Sequence, residues 1–227
     1  MDLKGKKIAF VGDSITEGTY GPSDVRFVYH SLLKDSANLG ENINYGVNGT
    51  RIARQSNVTA ELLKEAPDSI ESLDRDFCIR CDDMDDDADI VVVFGGTNDY
   101  GHGDAPLGSF DDNTEYTFYG AMHVLIRKLT AKYPGKPLIF ITPLHRHDEL
   151  DYTPGGVPKN LILRDYVNAI REVCEFYSVP VLDLYASGGI QPVMRIHRDM
   201  YAPDGVHPND TGHRIIANKL QSFLEQL

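Results

Sequence analysis

Five short apolar runs punctuate the chain: Lys7 to Val11, Ile43 to Val47, Ile90 to Phe94, Leu138 to Ile141 and Pro180 to Leu184. They are rich in β-branched residues and lack polar alternation, which predicts strands covered on both faces, as in a parallel sheet. Between them the apolar positions take a helical period. Phe118, Met122, Leu125, Ile126, Leu129 and Tyr133 fall on one stripe, and Leu163, Tyr166, Val167, Ile170, Val173, Cys174 and Tyr177 on another. A last helix is expected to start with Asn209 or Asp210 as its cap and to bury Ile216, Leu220, Phe223, Leu224 and Leu227. This alternation of strand and helix predicts a right-handed, doubly wound α/β sheet with helices on both faces. Neither a repeat nor a linker divides residues 1–227, so one domain is expected. Ligands of such sheets collect outside the carboxyl ends of the strands.

A chain of 227 residues suffices for one such domain, which buries roughly 70 to 75 % of its unfolded surface without any staple. With 22 Lys plus Arg against 34 Asp plus Glu, the net charge of −12 repels phosphodiester backbones and anionic membrane surfaces. No nucleic-acid partner is expected. Three cysteines, an odd number, suit a reducing compartment. Residues 1–7 lead straight into the first apolar run with no signal-peptide pattern, so the expected location is the cytoplasm. No run approaches ~20 apolar residues, which excludes membrane insertion by a helix. The sequence leaves an oligomer open.

Four segments carry chemistry: Gly12-Asp13-Ser14-Ile15, Asn44-Tyr45-Gly46-Val47-Asn48-Gly49, Gly95-Gly96-Thr97-Asn98-Asp99 and Asp204-Gly205-Val206-His207-Pro208. The first three sit at or just past strand ends, and the fourth opens the last helix. A serine hydroxyl attacks an acyl carbon only when a base takes its proton and a third group steadies that base. Asp204 and His207, three residues apart on a turn, have the spacing for a carboxylate to reach Nδ1 of the ring. Pro208 fixes the backbone behind the histidine. The oxyanion formed on attack needs donors already in place. The backbone N–H of Ser14, the N–H of Gly49 and the side-chain amide of Asn98 are the candidates, and Gly95 and Gly96 are expected to leave room for the acyl group.

With these four blocks in order, the chain resembles the SGNH hydrolases, also called GDSL esterases and lipases. The resemblance runs from Gly12 to His207. It implies Ser14 as nucleophile, His207 as base, Asp204 as its partner, and Ser14, Gly49 and Asn98 as oxyanion donors. It further implies a three-layer, flavodoxin-like parallel sheet of order 2-1-3-4-5, with no metal or organic cofactor. Two departures stand out: Ile15 replaces the usual leucine, and the donor of the second block is Gly46 or Gly49, with Gly49 preferred.

Taken singly, the same residues read more plainly. Ser14 is a helix cap, Asn98 a turn residue and Asp204-Gly205 a turn pair. Asp13 and Asp99 are expected to brace turns. His30, His123 and His213 fall in helical stretches and read as partly exposed structural residues. His145-Arg146-His147 lacks the third ligand that zinc would need. Cys78-Ile79-Arg80-Cys81 is a lone C-x-x-C, and Cys174 belongs to a core stripe. The acidic run 82–87 lacks the glycine and the glutamate of a calcium loop and reads as a solvated turn.

The expected function is a serine esterase that removes a short acyl group, acetyl above all, from a carbohydrate or other small hydroxylated compound. Two loops, Tyr100 to Asn113 and His145 to Lys159, leave the sheet at the active edge and are expected to wall or cover the pocket. Tyr100 and His102 are candidate substrate contacts. The alternatives are a lysophospholipase or thioesterase on the same scaffold, a carbohydrate-binding protein without catalysis, and, less in keeping with the histidine pattern, a metallophosphatase.

Overall fold

The computed structural model describes residues 1–57, 75–154 and 160–227. The chain runs β1 (Lys7–Gly12), α1 (Ser14–Glu17), α2 (Tyr29–Ala37), β2 (Glu41–Gly46), α3 (Phe77–Arg80), β3 (Ile90–Phe94), α4 (Thr97–Gly101), α5 (Phe118–Lys132), β4 (Leu138–Ile141), α6 (Leu163–Phe176), β5 (Val181–Leu182), α7 (Leu184–Ser187), α8 (Arg195–Tyr201) and α9 (Asp210–Gln226). The strands form one sheet of order β2-β1-β3-β4-β5. Every pairing is parallel, and Gly12 stands level with Gly46 on one side and Phe94 on the other.

Successive strand residues point to opposite faces, and this divides the core into two apolar layers. Ala9, Val11, Val91 and Val93 pack on one side with Phe77, Leu125 and Ile170 of α3, α5 and α6. Ile8, Phe10 and Val92 pack on the other with Leu33, Ile216 and Leu220 of α2 and α9. The result is helices, sheet, helices: the α/β/α architecture expected from the alternating pattern.

The structure corrects four of the expected details. β2 begins earlier than its apolar residues suggest and lies at the sheet's edge, where Glu41 and Asn44 are exposed. Its extent is set by register with β1 rather than by burial on both faces. β5 is only two residues long. Helix α9 is capped by Asn209, whose Oδ1 accepts from the N–H groups of Thr211 and Gly212 at 3.1 Å, but Phe223 is only half-buried and Leu227 is exposed. Finally, His30, His123 and His213 are buried, not partly exposed. His30 Nε2 meets the carbonyl of Thr16 at 3.1 Å and therefore carries the ring proton, while Nδ1 accepts from Asn42 at 2.7 Å. Burial pulls its pKa down to about 4, and that of His213 to about 3.

Candidate active site

β1 ends at Gly12, and the turn into α1 is capped by Asp13, whose carboxylate accepts from the N–H of Ile15 at 3.0 Å. Asp13 thus fills the capping role that Ser14 would take if read alone. Ser14 becomes the first residue of α1, a position whose N–H has no acceptor within the helix. Its Oγ meets Nε2 of His207 at 2.9 Å.

The histidine is held from behind. His207 Nδ1 lies 2.6 Å from Oδ2 of Asp204, while Oδ1 of the same carboxylate accepts from the N–H groups of Val206 and His207 at 2.8 and 2.7 Å. Partial burial pushes the Asp204 carboxyl up, but the ring and the two backbone donors outweigh it and hold its pKa down to about 2. An ionised acceptor at Nδ1 fixes the proton there, so Nε2 of the neutral ring is free to accept from Ser14. The turn requires glycine at 205, with φ at +85° and no room for a Cβ against the His147 ring. The N–H of His147 donates to Gly205 O at 3.0 Å, so the loop after β4 steadies the histidine loop.

The second and third blocks are joined to the first by a residue that sequence reasoning missed. Arg80 is buried at the end of α3, with its guanidinium over the Phe77 ring. It donates to Gly12 O at 3.0 Å, to Tyr45 O at 2.6 Å and to Thr50 Oγ1 at 2.9 Å. Asn98 in turn donates from Nδ2 to Thr50 O at 3.1 Å. One cation thereby ties the ends of β1 and β2 to the loop of Gly49 and Thr50, on which Asn98 at the start of α4 is anchored. Burial pulls the Arg80 pKa down to about 10, which leaves it charged at neutral pH. The only sequence signal was a charge inside the otherwise apolar stretch Phe77 to Cys81.

Of the two glycines in the second block, Gly46 gives its N–H to Asn44 Oδ1 at 2.8 Å, and β2 passes so close to α1 there that a Cβ would stand 2.2 Å from the nitrogen of Glu17. Gly49, at φ +73°, remains the candidate donor. The space beside Gly95 and Gly96 is not open to an acyl group. It is filled by Phe77 and Ile52 at the first and by Pro143, Ile170 and Phe118 at the second, so these glycines serve core packing.

Tyr100 is likewise withdrawn from the pocket. Its ring is fully buried and its hydroxyl donates to the carbonyls of Asp148 and Asp151, which makes it a brace for the loop after β4. His102 is exposed, with Nδ1 at 3.2 Å from Arg51, whose guanidinium also donates to Gly49 O at 3.2 Å. Asp99 braces the segment after β2, accepting from the N–H groups of Ile52 and Ala53 at 3.0 and 2.9 Å. His145 is engaged by Glu149 at 2.6 Å, and no cluster of metal-binding side chains occurs among the described residues. Residues 155–159 of the predicted wall lie outside the described residues.

The remaining motifs are structural. Cys78, Cys81 and Cys174 are buried free thiols, and burial pushes the last two up to about 11 and about 12. The acidic run is spread over cations, with Asp82 on Lys128 at 2.6 Å, Asp83 on Arg75, and Asp87 on Lys7 at 2.7 Å. No helix among the described residues is long and apolar enough to cross a membrane.

Residues 10–215 match the model of the GDSL-like lipase/acylhydrolase family. The chain belongs to that family. Membership in the GDSL-like lipase/acylhydrolase family supports a hydrolase, on the α/β sheet already described. A protein of Lactobacillus plantarum with a solved structure is 32 % identical, with a TM-score of 0.81 and coverage of 99 % of this chain and 98 % of that one. An acetyl xylan esterase shares the fold at 20 % identity and a TM-score of 0.59, over 95 % of this chain and 98 % of that one. A two-domain esterase active on acetylated mannans does so at 20 % identity and 0.58, over 99 % of this chain and 50 % of that one. No curated protein matches the sequence.

Proposed function

We propose that this GDSL-like hydrolase is a serine esterase that releases short acyl groups, acetyl first, from carbohydrates or other small hydroxylated compounds. The observation that supports it most is the unbroken relay from Asp204 to His207 at 2.6 Å and from His207 to Ser14 at 2.9 Å. In this reading Ser14 Oγ attacks the ester carbonyl and passes its proton to His207 Nε2. The oxyanion is met by the N–H groups of Ser14 and Gly49 and by the Asn98 amide, donors of a kind worth roughly 10² to 10³ in rate each. Collapse expels the alcohol, which takes the proton back from His207, and leaves an acyl-serine. Water then gives His207 a proton as it attacks, and collapse frees the acid and restores Ser14. Asp204 stays ionised throughout and stabilises the imidazolium. His102, exposed beside Arg51, supplies a polar contact at the rim.

Carbohydrate is the first acceptor class to test because two proteins that share the fold act on acetylated polysaccharides. The test is a panel of acetylated sugars set against esters of lengthening acyl chain, with Ser14→Ala as control. Hydrolysis strongest on acetyl groups and abolished by Ser14→Ala is expected, whereas activity retained by Ser14→Ala rejects the reading.

One observation favours a second reading. Val193, Met194, Ile196 and Met200 are exposed along and just before α8, the helix that leads into the histidine loop. A long acyl chain would find apolar surface there, as in a lysophospholipase or thioesterase. Specificity that climbs with each added methylene selects that reading.

A further inference from the structure

Tyr20 is 72 % exposed, yet its backbone sits at φ 65°, in the left-handed region that side chains with a Cβ disfavour. Packing gives no return for that strain. The short segment that carries Tyr20 is fastened at both ends. On one side, the N–H of Thr19 donates to Ser14 O at 3.0 Å and its hydroxyl to Glu17 Oε2 at 2.6 Å. On the other, the N–H and hydroxyl of Ser23 donate to the Asp210 carboxylate at 2.7 and 2.6 Å, and Gly21 packs directly on the carbonyl of Pro208. Residues 19–23 therefore bridge the nucleophile's helix to the chain just beyond His207.

At the crest of this bridge the Tyr20 ring lies 5.2 Å from the His207 ring, centroid to centroid, tilted by 52°. Its hydroxyl accepts from the Asn48 amide at 3.3 Å, next to Gly49. The proton's path decides which half of an ester meets this ring. His207 returns its proton to the leaving alcohol, so the alcohol half lies against the imidazole that Tyr20 borders.

Resting on the esterase reading, we infer that Tyr20 is a specificity-determining platform for the alcohol half of the substrate, and that the acceptor it fits is a sugar ring. A pyranose offers a face of C–H groups to an aromatic ring and hydroxyls at its edge to the tyrosine oxygen and the Asn48 amide. The fixed backbone holds the platform in place before substrate arrives, which lowers the ordering cost of binding. A small alcohol such as ethanol is too short to cover the ring.

The test compares acetylated xylotriose with ethyl acetate in the wild type, Tyr20→Ala and Tyr20→Phe. Tyr20→Ala is expected to lower the ratio of kcat/KM for the sugar ester over ethyl acetate roughly tenfold, mostly through KM, and Tyr20→Phe to restore most of it. A ratio unchanged within twofold in Tyr20→Ala overturns the platform, whether both rates fall together or neither falls. A second measurement needs no turnover. The chain has no tryptophan, so Tyr20→Trp introduces a single reporter, expected to shift its emission saturably with acetylated xylotriose in a Ser14→Ala background. No shift up to the solubility limit also overturns the platform. Failure of the esterase reading has a different signature, ester hydrolysis that survives Ser14→Ala.

Discussion

Two aspartates flank the candidate nucleophile and histidine, and their surroundings drive them in opposite directions. Asp13 lies in the floor, 2 % exposed at the end of β1, and burial raises its pKa from the ordinary 3.8 to about 6. Asp204 lies in the rim with its side chain 46 % exposed, and hydrogen bonds from His207 and two backbone donors hold it down to about 2. The floor is a place where charge is costly and is tolerated only when tied to backbone, as with Arg80 on the Gly12 and Tyr45 carbonyls. The rim keeps a carboxylate ionised beside water. On the proposed esterase reading the site separates its tasks: the floor fixes positions, and the rim supplies the charge that a protonated histidine needs.

If that division holds, rim substitutions act on rate and floor substitutions on stability. The largest effect is expected for His207→Ala, a loss of about 10⁴ in kcat with only a small change in melting temperature. Asp204→Asn follows, at roughly 10³ to 10⁴, because an amide facing Nδ1 no longer fixes the ring proton there. Steady-state kinetics on an acetyl ester checks both, and a variant within tenfold of wild type breaks the rim's half of the comparison. In the floor, Arg80→Met removes the charged donor shared by Gly12 O, Tyr45 O and Thr50 Oγ1 and is expected to cost about 3 to 5 kcal/mol, read as a lowered midpoint of urea unfolding. A loss below about 1 kcal/mol would mean that the three blocks are held together by other contacts.

The smallest effect concerns pH. Asp13 binds its proton more tightly in the folded chain than in the unfolded one, so its contribution to stability is complete below about pH 4 and is lost as the pH rises through about 6. It amounts to about 3 kcal/mol at most. Asp13→Asn is expected to flatten that decline in unfolding experiments between pH 4 and 6. Asp204 has the opposite sign. Its contribution is present above the ordinary carboxylate value and disappears as the pH falls toward about 2. A steeper decline in Asp13→Asn than in wild type would contradict the floor's character.

What the sequence made legible follows the same division. The interior strands announced themselves because burial on both faces demands unbroken apolar runs, as in Ile90 to Phe94. The edge strand β2 was read from Ile43 to Val47 but not at its true start, since Glu41 and Asn44 face water and only pairing with β1 defines its ends. Ser14, Asp204 and His207 could be picked out because their chemistry depends on residue type and short spacing, and the fold brings them into one hydrogen-bonded chain. Arg80 could not be read, because its partners are the carbonyl oxygens of Gly12, Tyr45 and Arg75 and the hydroxyl of Thr50, and a sequence does not display backbone partners. The same blindness assigned Tyr100 to the pocket and left His30 and His213 partly exposed. A polar side chain is hidden only where the fold supplies acceptors or donors for it, and those come from distant residues.

The most direct test of the account is covalent labelling with a small fluorophosphonate, followed by digestion and mass spectrometry, in the wild type and in His207→Ala. The account predicts one adduct, on Ser14, formed at least about 10³ times faster in the wild type, because only a hydroxyl relieved of its proton attacks phosphorus at that rate. An adduct on any other residue, or equal labelling of Ser14 in the two proteins, would contradict it.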